Sequence, residues 1–195
     1  MKINNLNEKL KFIELIDEMK NIKRAIKLKN WRQETNAEHS YHLAMIVLIF
    51  LEDFPNLDWF KCIKLALIHD LVEIFAWDTV VLDKKREKTK KQREKEAIYE
   101  LEKTLWKEIF KQVKSLIFEY EKRNTLEAEF IYQIDKFQPM IQVVMEWWSC
   151  LREYKMNIDE LMDNKYKKVD DKFGFKKILD KCFKKNIEEK MFYKK

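Results

Sequence analysis

The sequence predicts an all-helical fold, on three observations. Glycine occurs once and proline twice in 195 residues, too few turn-forming residues for a sheet joined by tight hairpins. Apolar residues recur at helical spacing through most of the chain. They make up 46% of it, enough for a chain of this length to bury one sizeable core. A helical bundle with polar connections accommodates all of this.

Residues 6–28 are expected to form an amphipathic helix, because Leu10, Ile13, Ile16, Met19 and Ile22 fall at helical spacing. The polar stretch 29–36 reads as a loop, with Asn36 as N-cap of the next helix, 37–54. Pro55 and Asn56 break the chain. A third helix is expected over 58–76. It is apolar nearly all round from Leu65 to Phe75, the mark of a buried helix. Residues 83–96 are a dense run of charge, expected as a solvated loop leading into a helix. Helical patterns follow at 93–103 and 105–122. A long helix is expected over 125–154, opened by Thr125, with Glu127 and Glu129 in the first turn where carboxylates favour the helix dipole. The tail is expected to form helices at 157–163 and 174–192 around the single glycine, Gly174. No internal repeat or linker interrupts the chain, so residues 1–195 are expected as one domain.

The formal charge is +6 and the isoelectric point near 9.0. Lysine greatly outnumbers arginine, whereas bidentate phosphate and base contacts favour arginine. The surplus therefore reads as a solvated surface, and dedicated nucleic-acid binding is not expected. Cys62, Cys150 and Cys182 are scattered, with no CxxC spacing. That pattern suggests reduced thiols in a cytoplasmic protein. The first residues alternate apolar and charged, unlike a signal peptide. The longest apolar run, Ala44 to Leu51, is too short to span a bilayer.

The chain has three histidines, His39, His42 and His69, all in its two most apolar helices. A histidine on an apolar face is ordinarily a hydrogen-bonded core residue. His69 keeps different company. Asp70 follows it at once and Glu73 lies one turn on, in a run that is otherwise apolar. Two carboxylates buried without partners are costly and need compensation. Lys61 and Lys64 lie more than one turn upstream of Asp70, so the helix offers little of its own. A divalent metal ion would supply the missing charge. Adjacent helical residues point about 100° apart. His69 and Asp70 therefore reach one ion only if it lies beside the helix and other helices complete the ligand set. His39 is one candidate. Asp135, on a later apolar helix, is another. Pro139 cannot donate the hydrogen bond that the Asp135 carbonyl would ordinarily accept. A kink beside a ligand and a plain structural kink both fit.

Three segments carry a family resemblance: Ala37–Glu38–His39–Ser40–Tyr41–His42; Ile68–His69–Asp70–Leu71–Val72–Glu73–Ile74 with Asp78; and Ile134–Asp135–Lys136. Their order and spacing resemble the HD-domain superfamily. Within it they are most similar to the 5'-deoxynucleotidases, which hydrolyse nucleoside 5'-monophosphates. The similarity runs in order over residues 24–155, with C-terminal helices beyond. It implies an all-helical bundle with a single metal site, and often a homodimer. Carried over by position, His39, His69, Asp70 and Asp135 would ligate the metal. Glu73 would be the catalytic carboxylate near the attacking water, and Asp78 would lie at the substrate sugar with a part in catalysis. Arg24 aligns with a phosphate-binding arginine on the first helix, and Arg32 with an arginine in the loop before the first ligand. His42 matches a family residue that is not a ligand. The chain departs from the pattern at Trp77, where the family usually has glycine, at Ala25, where the bacterial enzyme has tryptophan, and at Pro139.

Two imidazoles and two carboxylates leave open positions on an octahedral ion, which suits Mn, Co, Fe, Ni or Mg more than a closed structural zinc. The resemblance thus implies metal-dependent hydrolysis of a small-molecule nucleotide. Related HD proteins act on guanosine tetraphosphate, nucleoside triphosphates or cyclic nucleotides, and these are the alternative substrates. A helical binding module with a vestigial site is the non-enzymatic alternative.

Overall fold

The structure, a computed structural model, describes residues 4–28, 30–77, 84–145, 162–163 and 165–188. Those residues are predominantly helical. They form α1 (Leu6–Asp17) with a 3-10 turn at Glu18–Lys20, β1 (Lys23–Lys27), β2 (Gln33–Thr35), and α2 (Asn36–Phe50) with a 3-10 turn at Leu51–Asp53. Then come α3 (Trp59–Ile68), α4 (Glu73–Ala76), α5 (Lys84–Thr104), α6 (Lys107–Lys122) and α7 (Leu126–Met145). A 3-10 turn at Tyr166–Lys168 and a C-terminal helix, Phe175–Glu188, complete the order.

Helices α2, α3 and α7 pack against one another, with α6 against α3 and α7 and the C-terminal helix against α7. Leu43, Val47, Leu65, Phe130, Ile134, Phe137 and Phe175 fill the space between them. A second apolar cluster joins Leu15, Met19 and Ile22 to Leu71 and Ala76, and to Leu101, Phe110 and Val113 of α5 and α6. The two clusters flank the segment that links α3 to α4.

Four boundaries differ from the sequence expectation. The helix expected over 6–28 stops at Asp17, and residues 23–27 pair antiparallel with 33–35, Lys23 opposite Thr35 and Lys27 opposite Gln33. The apolar spacing misleads because Leu15, Met19 and Ile22 continue one buried line across the break. Spacing alone cannot reveal that the Ile22 carbonyl accepts from the Asn36 N–H at 2.9 Å. Leu10, Ile13 and Ile16, on the expected packing face, are 48%, 58% and 40% exposed, so α1 carries a second, uncovered apolar face.

Thr35, not Asn36, caps α2. Its hydroxyl accepts from the Glu38 N–H while the Glu38 carboxylate accepts from the Thr35 N–H, a reciprocal capping box. The helix expected over 58–76 breaks after Ile68. The charge run is helical from Lys84, since lysine, glutamate, glutamine and arginine are good helix formers. Pairs one turn apart, Lys90 with Glu94 and Gln92 with Glu96, add support. Pro139 lies inside α7, which continues to Met145. The expected stretches 146–154 and 157–161, and Asp78, lie outside the described residues.

Candidate metal centre and substrate cavity

His39 enters the site from the first turns of α2, His69 and Asp70 from the end of α3, and Asp135 from the middle of α7. The link from α3 to α4 is wound tighter than an α-helix. The N–H groups of Leu71, Glu73, Ile74 and Phe75 reach back three residues, to Ile68, Asp70, Leu71 and Val72, at 2.9–3.3 Å. Residues three apart eclipse in that geometry. Asp70 and Glu73 therefore come onto one face, where a regular α-helix would set them about 60° apart.

His39 and His69 are buried, with ring centroids 5.3 Å apart. The His69 Nδ1 lies 2.9 Å from the Ala66 carbonyl, which can only accept, so Nδ1 carries the proton. The His39 Nδ1 lies 3.1 Å from the Gln138 Oε1, with the same consequence. Both Nε2 atoms face the site, buried and without a well-formed hydrogen bond, and each is a lone pair when its ring is neutral. The Asp135 Oδ1 lies 3.2 Å from the His39 Nε2 and 3.8 Å from the His69 Nε2. The Asp70 Oδ2 lies 3.7 and 3.3 Å from the same two atoms.

These spacings fit a shared ion. Donors about 2.0–2.3 Å from a centre stand roughly 3–3.7 Å from one another in octahedral or tetrahedral arrangements. His39, His69 and Asp70 offer donor atoms all within 4.8 Å of one another. Two orphaned imidazole nitrogens beside two carboxylate oxygens make a donor set for a divalent cation. Burial, then the Arg24 guanidinium, holds the His39 imidazole down to about 4, so it is neutral and able to ligate. Burial works the other way on the carboxylate of Asp70, but His69, Arg24 and His39 hold it below the usual carboxylate range.

A further layer of contacts fixes this set. Tyr120 of α6 donates to the Asp135 Oδ2 at 2.7 Å and Lys136 donates to it at 2.6 Å, leaving Oδ1 to face the histidines. The Gln138 amide donates to the Gln142 Oε1 at 2.6 Å, which fixes its orientation toward His39. His42 is not among the clustered donors, and its Nδ1 lies 3.0 Å from the Gln138 Nε2.

The cavity beside the cluster measures about 260 Å³. His69, Asp70, Glu73 and Asp135 line it, along with Arg24, Lys90, Arg123, Lys136, Lys165 and Lys168. Arg24, expected on a helix, is delivered by β1. Its Nη1 donates to the Asp70 Oδ2 at 3.0 Å and to the Asn36 Oδ1 at 3.3 Å. Asn36 in turn donates to the Glu73 carboxylate. The capping role falls to Thr35, and the Asn36 amide is left to bridge Arg24 and Glu73. Arg32 is elsewhere. It is 49% exposed at its side chain and forks onto Glu38, holding that carboxyl down to about 2.

The structure thus brings together six of the residues singled out by sequence: Arg24, His39, His69, Asp70, Glu73 and Asp135. It leaves Arg32 outside the cavity. Tyr120, Gln138 and Lys165 escaped the sequence reading, and Asn36 was expected there only as a helix cap. Asn36 stands three residues before His39 and Gln138 three after Asp135, and a polar residue inside an apolar helix was the available signal for Gln138.

Comparison with known proteins follows this geometry. The HD domain family model matches residues 16–178. The human 5'-deoxynucleotidase HDDC2 is 29% identical over 135 residues, which cover 68% of this chain and 65% of that protein. The Dictyostelium discoideum 5'-deoxynucleotidase HDDC2 is 33% identical over 141 residues, covering 68% of this chain and 74% of the relative. A crystal structure from Magnetospirillum magnetotacticum MS-1, described as a predicted metal-dependent phosphohydrolase, shares the fold with a TM-score of 0.83. It is 24% identical, and the match covers 97% of this chain and 96% of that one. With a family model spanning most of its length and its donor cluster built from the His and His–Asp motifs, the chain belongs to the HD domain family.

Proposed function

We propose that the chain is a metal-dependent phosphohydrolase that cleaves the phosphomonoester of nucleoside 5'-monophosphates, deoxyribonucleotides first. The observation that carries this reading is the pair of buried, orphaned imidazole nitrogens facing two carboxylates at the wall of a cation-lined cavity. The 5'-deoxynucleotidase names of the relatives support the substrate class. His39, His69, Asp70 and Asp135 hold one divalent ion, of the Mn, Co, Fe, Ni or Mg kind. Bound there, such an ion lowers the pKa of a water and polarises a phosphoryl oxygen.

The remaining steps belong to the chain's own side chains. Glu73, oriented by Asn36, takes a proton from the attacking water as its oxygen bonds to phosphorus. The bond from phosphorus to the 5'-oxygen breaks, and the proton passes from Glu73 to that leaving oxygen. Arg24 offsets the phosphoryl charge beside Asp70 and Glu73. The family resemblance is what assigns Asp78 to the sugar. Arg32 is assigned to Glu38, and through it to the start of α2.

A homodimer and a cytoplasmic setting complete the proposal. Leu6, Leu10 and Ile13 of α1 and Tyr41, Leu48 and Ile49 of α2 are exposed apolar side chains of the kind a second copy covers. Among the described residues no helix is long and apolar enough to cross a membrane, and Cys62 and Cys182 are free thiols. The test is phosphate release from each ribo- and deoxyribonucleoside monophosphate with Mn, Co, Mg and Zn. Release from deoxynucleoside monophosphates is expected. Release only from guanosine tetraphosphate, triphosphates or cyclic nucleotides would overturn the substrate. No release together with no bound metal would point to a binding module.

A further inference from the structure

Lys165 follows α7 in the chain and belongs to none of the motif segments. It reaches the cavity from the turn that precedes Tyr166–Lys168. Three of the cations that line that cavity come from different elements: Arg24 from β1, Lys136 from α7 and Lys165 from this turn. Two of them have protein carboxylates. Arg24 donates to Asp70, and Lys136 donates to Asp135. No ion pair ties Lys165 to a carboxylate among the described residues. Lys165 is half-buried, and burial with the like charges of Lys136 and Arg24 pushes its ammonium down to about 8. The Asp135 charge opposes that shift only in part. Holding a third cation in such a place is unfavourable unless an anion arrives to share it.

We propose that Lys165 is a substrate-binding residue that, with Arg24 and Lys136, forms a three-cation pocket for the phosphoryl group of the ligand. A phosphoryl dianion is the matching chemistry. It carries three terminal oxygens for three donors, and its charge neutralises the crowding that the empty pocket suffers. An uncharged sugar or base would leave the repulsion in place. The carboxylates Asp70 and Asp135 line the same cavity and are hydrogen-bonded to Arg24 and Lys136, so a phosphoryl group held by the three cations would lie against the donor cluster. The proposal rests on the nucleotidase reading only for the rest of the ligand, and the phosphoryl contact is testable without it.

The experiment is calorimetric titration of inorganic phosphate into the Mn-loaded protein. Wild type is compared with Lys165→Met, Lys165→Gln, Lys165→Arg and Lys177→Met, the last an exposed lysine on the C-terminal helix. Loss of one charge-assisted hydrogen bond should raise Kd for phosphate by about tenfold or more in the Met and Gln variants. The Arg variant should recover most of the affinity and Lys177→Met should match wild type. Circular dichroism verifies each fold, and two neutral variants let one decide should the other misfold. Unchanged phosphate affinity in a folded neutral variant overturns the proposal, as does a wild type that binds no phosphate. The same variants, assayed with a nucleoside monophosphate, should raise KM more than they lower kcat. Lys165-dependent phosphate binding without any nucleotidase activity would sink the nucleotidase reading and keep this one. Nucleotide turnover indifferent to Lys165 would do the reverse.

Discussion

The two walls of the cavity are built on different terms. The donor wall, His39, His69, Asp70 and Asp135, comes from three helices that pack against one another, and His39, His69 and Asp135 each have a second contact behind them, while Arg24 holds Asp70. The cation wall, Arg24, Lys136 and Lys165, comes from a strand, a helix and a turn. Its members are long side chains that line the cavity, Arg24 hydrogen-bonded to Asp70 and Lys136 to Asp135. Short side chains on rigid helices fix an atom to a few tenths of an ångström. Long ones on mixed supports adapt to what enters. Chemistry that needs a fixed centre and a variable substrate divides in this way.

Breaking the donor wall should have the largest effect. Asp70→Ala removes one of two charged donors and a carboxylate partner of Arg24. Metal content by elemental analysis and nucleotide turnover should both fall to background. Glu73→Ala should come next and should separate the two readouts. Metal content should persist while kcat drops by about 10²–10⁴, the usual worth of one acid–base group. Retained turnover, or metal loss in that variant, would assign Glu73 a different role.

Gln138→Leu tests whether the layer behind the donors matters. It removes the acceptor that holds the proton of His39 on Nδ1. Loss of such an outer partner ordinarily weakens metal binding by about 10–100-fold, measurable by competition with a chelator. Smallest of all should be Arg32→Ala. Arg32 lies outside the cavity on an exposed pair with Glu38, so KM and kcat should stay at wild-type values. A rise in KM for the nucleotide would return Arg32 to the substrate.

That ranking follows what could be read from the sequence. His69, Asp70 and Glu73 were legible because polar residues interrupt an apolar helix, and the family resemblance tied His39 and Asp135 to them. Lys165 was not, because one lysine among many carries no mark, and its place depends on where the chain returns after α7. Arg24 was found on the wrong support. The line Leu15, Met19, Ile22 keeps helical spacing across a turn and into a strand, so periodicity could not register the change. The α5 boundary failed for a simpler reason. A run of lysine and glutamate reads as solvated whether or not it is helical, and here it is both.

The wound-down link between α3 and α4 has a consequence for how this chain can vary in length. Asp70 and Glu73 share a face because they stand three residues apart on a turn of three. One inserted or deleted residue between them would rotate Glu73 by about 120°, away from the cavity, and no adjustment elsewhere could restore it. Asp70 and Asp135 meet through packing, across helices joined by loops, and loops absorb length changes at small entropic cost. The site should therefore tolerate no change of length over those four residues, whereas the loops that join the later helices can change length without moving Asp135 from its place.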